Sequence, residues 1–312
     1  MRHPSELPPH LRSQPFTVAQ ARTAGLSRRR TRARDLVSPC FGVRAPANNP
    51  DSLLERVHSL TAATGTVVSH LSAAVLWGFP LPIALANLAV IHLTSRPGKR
   101  AVRHKNVVGH EQALEADEIV TGIRVRCTSP LRTWFDLAGI LDLDDLVAAG
   151  DFLLRRRNPL TTINALDAFL AGKRGKPGYR RAMSARRLIR PNTDSPKETE
   201  LRLLLTRNGL PEPGINVAIF DDTGGWIQDP DLTYEQERVA IQYDGAHHAD
   251  PAQRRSDIFR DESARDAGWR VVVLTQADLI PIVAGREPSA VTRVRAALTA
   301  GGWSPAKRRQ QR

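Results

Sequence analysis

Apolar positions in the last third of the chain switch between helical and strand periods, and each switch marks an element. Leu201, Leu204 and Leu205 recur at helical spacing behind Ser195-Pro196-Lys197-Glu198. That opening places a hydroxyl at the N-cap, proline at the first helical position and glutamate at the third, so it predicts a helix that Gly209 and Pro211 end. Ile215 to Phe220 alternates and predicts a strand, and Asp221-Asp222-Thr223-Gly224-Gly225 predicts a hairpin turn. A second strand runs from about Trp226 to Tyr234 and contains Asp229-Pro230-Asp231; a third runs from Arg238 to Tyr243. Along the third, Val239, Ile241 and Tyr243 point one way, while Ala240, Gln242 and Asp244 point the other. Pairing with the preceding strand would bring Asp231 onto the face of Gln242 and Asp244. His247 and His248 precede a polar helix carrying Arg254, Arg255, Asp257, Arg260, Asp261 and Arg265. Gly268 stops that helix, and the apolar, β-branched run Trp269 to Thr275 predicts a buried strand.

The N-terminal pattern is shorter. Thr17 caps a helix carrying Val18, Ala21 and Ala24 that ends at Gly25, and Ser27 caps a second helix from Arg28 to Asp35. Phe41-Gly42-Val43-Arg44 follows as a wing or turn strand. Two short helices joined at a glycine, the second crowded by Arg28, Arg29, Arg30, Arg32 and Arg34, suit a winged helix-turn-helix. Its second helix would enter the major groove or lie along the phosphates; a solvated basic face is the alternative. Between them, Ser69 to Gly78 predicts a core-packed helix, Leu88 to Leu93 and Ile123 to Cys127 predict strands, and Leu131 to Leu137 and Leu143 to Leu154 predict helices. His70, His92, His104 and His110 are scattered at no helical ligand spacing and read as core or surface histidines. Leu71 to Ile91 is apolar, but Gly78, Pro80, Pro82 and Asn87 interrupt it, which predicts a soluble core and not a membrane span. Leu170 to Asp194 is basic and punctuated by glycine and proline, so a domain boundary belongs there. The expected organisation is a winged-helix-like DNA-binding segment at 1–48, a mixed α/β middle domain ending in the basic linker at 49–190, an α/β domain at 191–300 and a basic tail at 301–312. The fold class is α/β (α+β).

Charge narrows the partners. Lys and Arg number 45 against 32 Asp and Glu, a formal net charge of +13, which favours polyanions and nucleic acid first. Cys40 and Cys127 lack CxxC spacing and form neither a disulfide framework nor a zinc site, which fits a reducing cytoplasm. The N-terminus has no apolar run of a signal peptide.

The residues from Ser195 to Leu279 resemble the domain-of-unknown-function 559 family, related to very-short-patch-repair endonucleases within the PD-(D/E)XK restriction-endonuclease-like fold. The matching motifs are Ser195-Pro-Lys-Glu198 with Leu201 to Leu205, Asp231-Leu232, Ala240-Ile-Gln-Tyr-Asp-Gly-Ala-His-His248, Asp257, Arg260-Asp261 and Gly268 to Val273. Phe16 to Arg30 with Phe41 to Arg44, and "SHLSAAVLWGFPLP" from Ser69, are similar to AbiEi-type antitoxins. The first resemblance implies a restriction-endonuclease-like α/β sandwich hydrolysing DNA phosphodiesters with Mg²⁺ or Mn²⁺. Carboxylates hold such a cation, which neutralises charge at phosphorus and activates a water. Asp231 and Asp244 would be metal ligands. Glu198 would orient the metal water, although its capping box accounts for it equally. His247 or His248 would serve as general acid/base, and Arg254, Arg255 and Arg260 would hold phosphates unless Asp257 and Asp261 pair with them. Gln242 departs from the glutamate usual in the family, and losing that charge is expected to cost about 10²- to 10⁴-fold in rate. The second resemblance implies the alternative: a non-catalytic DNA-binding regulator or antitoxin-like protein, with a toxin-like partner, on a degenerate nuclease fold.

Overall fold

The computed structural model describes residues 4–12, 15–38, 42–47, 57–58, 60–61, 64–86, 90–99, 101–102, 106–121, 125–245, 251–283 and 285–305. His104, His247, His248 and the 306–312 tail lie outside them. So do the side chains of Arg254, Arg255 and Asp257, whose backbone is helical. The molecule is of mixed α/β class. It divides into two compact units, one of Met1–Leu146 with Leu166–Ala182, the other of Val147–Ala165 with Met183–Arg312.

In the first unit, β1 (Phe16–Thr17), β2 (Leu36–Val37) and β3 (Val43–Pro46) form an antiparallel sheet in the order β1-β3-β2. Helix α1 (Val18–Thr23) starts on a full capping box between Thr17 and Gln20. The expected second helix from Arg28 to Asp35 is instead a single 3-10 turn, Arg30–Arg32, with Ser27 Oγ accepting the Arg30 N–H at 3.1 Å. Only Arg30 and Thr31 are buried in this stretch, so no apolar stripe offsets the cost of a longer helix.

A five-stranded sheet follows, from β4 (Val67–Val68), β5 (Ile91–Ser95), β6 (Val107–Glu111), β7 (Ile119–Thr121) and β8 (Arg126–Thr128), in the order β6-β5-β4-β8-β7. Strands β5 and β8 begin about three residues later than the apolar runs suggest. Helix α2 (His70–Trp77) packs on β5 and closes on Gly78 in the left-handed region, φ 75°. Five helices come next: α3 (Ile83–Ala86), α4 (Pro130–Leu137), α5 (Leu143–Leu153), α6 (Ile163–Ala171) and α7 (Tyr179–Leu188). The basic stretch carries a helix where one is expected, near Arg180 to Leu188, and Ala182, Ala185 and Ile189 are buried along it.

The second unit is built on α8 (Pro196–Arg207) and a mixed sheet of β9 (Gly214–Ile215), β12 (Leu232–Tyr234), β13 (Val239–Asp244) and β14 (Arg270–Thr275), in the order β14-β13-β12-β9. Strand β13 runs antiparallel to β12 and parallel to β14, with α9 (Pro251–Asp266) as the crossover. The two strands expected on either side of the hairpin each break in two. Asn216, at φ 50°, ends β9 before β10 (Ile219–Phe220), and Pro230, which has no N–H for a ladder, separates β11 (Trp226–Gln228) from β12. Strands β10 and β11 form their own antiparallel ribbon. On one face of the main sheet, Leu232, Val239, Ile241, Val272 and Leu274 pack with Leu201 and Leu205 of α8 and with Val291, Val294 and Leu298 of α11 (Ser289–Ala300), which follows the short α10 (Gln276–Leu279). On the other face, Ala240 joins Ala264, Trp269, Ile219 and Ile227.

Candidate functional site

The second unit gathers its polar groups where β12 and β13 diverge. Leu232 pairs with Ile241, and continuing that register sets Asp231 opposite Gln242, with Asp244 two residues further along the strand. The Asp231 carboxylate turns sideways, and its Oδ2 accepts the Tyr243 N–H at 2.6 Å. Asp231 Oδ1 carries no hydrogen bond among the described residues. Glu198, the third residue of α8, is buried; its Oε2 accepts the Asp194 N–H at 2.9 Å and Asn216 Nδ2–H at 2.8 Å. Asn216 N–H in turn donates to the Asp231 carbonyl at 3.1 Å. Glu198 therefore does not close the expected capping box, whose second bond would come from the Ser195 N–H, and its side chain instead joins one network with the Asp231 backbone.

Electrostatics marks the same place. Burial pushes Asp231 up to about 7, and the neighbouring carboxylates of Glu198 and Asp194 push it the same way, against the Tyr243 N–H and Arg156. Burial also raises Glu198. Arg156 supplies the local counter-charge. Its guanidinium donates to Asp194 at 2.5 Å and to Asp229 at 2.9 Å. No local sequence signal marks Arg156 as a neighbour of Asp229, 73 residues later.

Gln242 Nε2 donates to the buried Gln228 Oε1 at 3.3 Å, and Gln228 Nε2 lies 3.5 Å from Asp261 Oδ1. The amide thus sits in a chain of side chains that runs toward α9. Asp244 is exposed at the end of β13. Arg260 is half-buried, with its guanidinium 6.0 Å from the centre of the Trp226 ring, and Asp261 lies 3.9 Å from Arg265.

At the N-terminus the arginines divide. Arg28 and Arg29 are exposed. Arg30 is turned inward, 6% exposed, with a bidentate pair to Asp35 at 2.9 and 2.7 Å and a further bond to the Ser5 carbonyl. That corrects its assignment as a DNA contact, because a buried guanidinium already paired with a carboxylate and a carbonyl is not presented to a phosphate.

Asp231 gives a stability prediction. An acid whose pKa is raised by folding costs stability when it must ionise. On this count the native chain is most stable below the ordinary carboxylate range and loses stability as the pH climbs from there to about 7. Asp231→Asn keeps an acceptor for the Tyr243 N–H and removes the buried charge. Chemical denaturation should show the variant more stable by about 2 kcal/mol at pH 8 and nearly equal at pH 4, at roughly 1.4 kcal/mol per unit, discounted for partial exposure. An equal gain at both pH values would remove the charge as its cause.

The described residues also place together a set that sequence spacing separated. His70, His92 and His110 are the one group of three or more His, Cys, Asp or Glu side chains, among the described residues, whose potential ligand atoms lie within 4.8 Å of one another. They come from α2, β5 and β6, and no local pattern announces them. No helix among the described residues is long and apolar enough to cross a membrane.

No protein-family model matches the chain. Two uncharacterized proteins of Mycobacterium tuberculosis, MT2308 of strain CDC 1551 / Oshkosh and Rv2248 of strain H37Rv, are each 28% identical over 247 residues, covering 78% of this chain and 87% of their own length.

Proposed function

We propose that the chain is a DNA-binding protein whose second unit carries a Mg²⁺-dependent endonuclease site centred on Asp231. The observation that carries the reading is the position and state of that carboxylate: it stands just before β12, opposite Gln242 in the continued register, and burial together with the Glu198 charge raises its pKa to about 7. Perturbed carboxylates in such a setting are functional candidates. The order helix, three antiparallel strands, helix and parallel strand supports a restriction-endonuclease-like arrangement.

The donor chemistry fits the cation. Mg²⁺ keeps several waters and takes one or two carboxylates, and Asp231 Oδ1 with the Gln242 amide oxygen and Asp244 are hard oxygen donors of that kind. Bound there, the cation would supply charge neutralisation and an activated water. The chain's own contribution is to hold these groups. The Tyr243 N–H fixes the Asp231 carboxyl, Asn216 and the Asp194 N–H fix Glu198, and Gln228 fixes the Gln242 amide. Arg28 and Arg29 add exposed positive charge for the phosphate backbone.

A specific observation favours the second reading, a DNA-binding regulator without catalysis. The uncharged Gln242 is engaged with Gln228, and Arg156 already serves Asp194 and Asp229. The test is cleavage of single- and double-stranded DNA with Mg²⁺ or Mn²⁺, beside duplex binding in EDTA. Asp231→Ala should abolish cleavage, a loss of at least about 10²-fold, and leave binding intact. Cleavage that survives Asp231→Ala, or persists in EDTA, removes this site from the reaction.

A further inference from the structure

We propose that His70, His92 and His110 form a binding site for a divalent transition metal of the zinc type, open on one side to a cavity of the first unit. This goes beyond the nuclease reading, involves none of its residues and concerns a different class of cation.

The parallel register of β5 and β6 pairs His92 with Val108 and Thr94 with His110, so both imidazoles project from the same face of the sheet. His92 Nδ1 lies 3.1 Å from His110 Nε2. That is already close to the roughly 3.4 Å that separates two nitrogens bound at 2.0–2.1 Å to one tetrahedral zinc. The His70 ring stacks on His110 with centroids 3.6 Å apart. One nitrogen of each of the three rings lies within 4.8 Å of the others. His70 itself holds a left-handed backbone, φ 51°, at the first residue of α2. A non-glycine residue kept there is strained, and such strain concentrates at functional positions.

The surroundings supply what a ligating imidazole needs. Ser69 Oγ, fully buried, lies 2.9 Å from His70 Nδ1 and can take its proton, leaving Nε2 for the metal. Asp136 gives an independent indication. Its Oδ1 accepts from Arg132 at 2.9 Å, but its Oδ2 is buried with no hydrogen-bond partner and lies 3.8 Å from His70 Nδ1. That oxygen is the alternative acceptor to Ser69 for the single His70 Nδ1–H, which a metal-bound imidazole donates more strongly.

Three nitrogen ligands leave a fourth position. A cavity of about 760 Å³ reaches His70, His110 and Asp136, with Glu118, Arg132 and Lys173 along its wall. A site of three histidines with an open side is the catalytic and not the structural pattern for zinc. Arg132 and Lys173 both pair with Glu118, at 3.3 and 2.6 Å.

The test uses the full, tag-free chain. Titration with Co²⁺ should give one ion per chain with the intense visible absorption of four-coordinate cobalt, displaced by one equivalent of Zn²⁺. X-ray absorption of the zinc-loaded native protein should show three imidazoles. His92→Gln and His110→Gln, at half-buried positions, should each weaken binding by at least about 10²-fold, and Asp136→Asn by 10- to 100-fold, while His58→Gln leaves it unchanged. Sub-stoichiometric binding, octahedral cobalt or an oxygen-only zinc shell in the native protein overturns the proposal, whatever the variants do. So does tight one-to-one binding that survives both glutamine substitutions.

Discussion

Gln242→Glu should raise metal-dependent DNA cleavage by about 10²- to 10⁴-fold, the range expected when a charged group returns to a cation-assisted phosphodiester site. Gln242 stands opposite Asp231 in the continued β12–β13 register, with its amide nitrogen 3.3 Å from Gln228 Oε1. A carboxylate there cannot donate to that oxygen, so the Gln228 amide must turn and give up its 3.5 Å approach to Asp261. It also adds negative charge beside a carboxyl already raised to about 7. In EDTA at pH 8 the variant should therefore be less stable than the native chain, and Mg²⁺ should restore more stability to it than to the native protein. Cleavage rate and thermal shift with and without Mg²⁺ measure both effects. A gain from a detectable native rate supports the enzyme; cleavage only in the variant assigns the native protein to DNA binding on a nuclease scaffold. No gain in rate and no Mg²⁺-dependent shift would separate Gln242 from any cation site.

Asp151→Ala should destabilise the second unit by about 3 kcal/mol, the cost of removing the buried partner of a buried charge, since Arg202 then keeps only the exposed-side Glu212 at 3.2 Å. Asp151 and Arg202 are each about 1% exposed and lie 2.8 Å apart. Asp151 also accepts from Thr199 at 2.7 Å and from the Arg190 N–H at 2.7 Å, so one carboxylate ties α5 to α8 and to the end of α7. Burial raises its pKa, against the pull of Arg202, the Arg190 N–H and Thr199. Arg202 Nε has no partner even in the native chain. The double substitution Asp151→Leu with Arg202→Met should recover most of the loss in urea unfolding, because no charge is then left buried. A double variant as unstable as Asp151→Ala would show that packing volume, and not the ion pair, is at stake.

The chain by itself determined the elements whose information is local. The capping box at Thr17, the Ser195 N-cap, the Asp221 to Gly225 hairpin turn, and the alternation that sets Gln242 and Asp244 on one face of β13 all follow from side-chain period and turn chemistry. Local pattern overreached at Arg28 to Asp35, where charge without an apolar stripe leaves only a 3-10 turn, and along 215–234, where Asn216 and Pro230 cut two strands into four. What depends on contacts distant in sequence had no local mark. Val147–Ala165 joins the C-terminal unit because Asp151 meets Arg202 and Arg156 meets Asp194 and Asp229. Arg30 turns inward because Asp35 and the Ser5 carbonyl await it. His70, His92 and His110 meet because a parallel strand pair and a helix start converge. Period and capping act within a few residues, so sequence records them directly. Register between strands and the pairing of buried charges arise only when the chain folds back on itself, and the tertiary structure alone decides them.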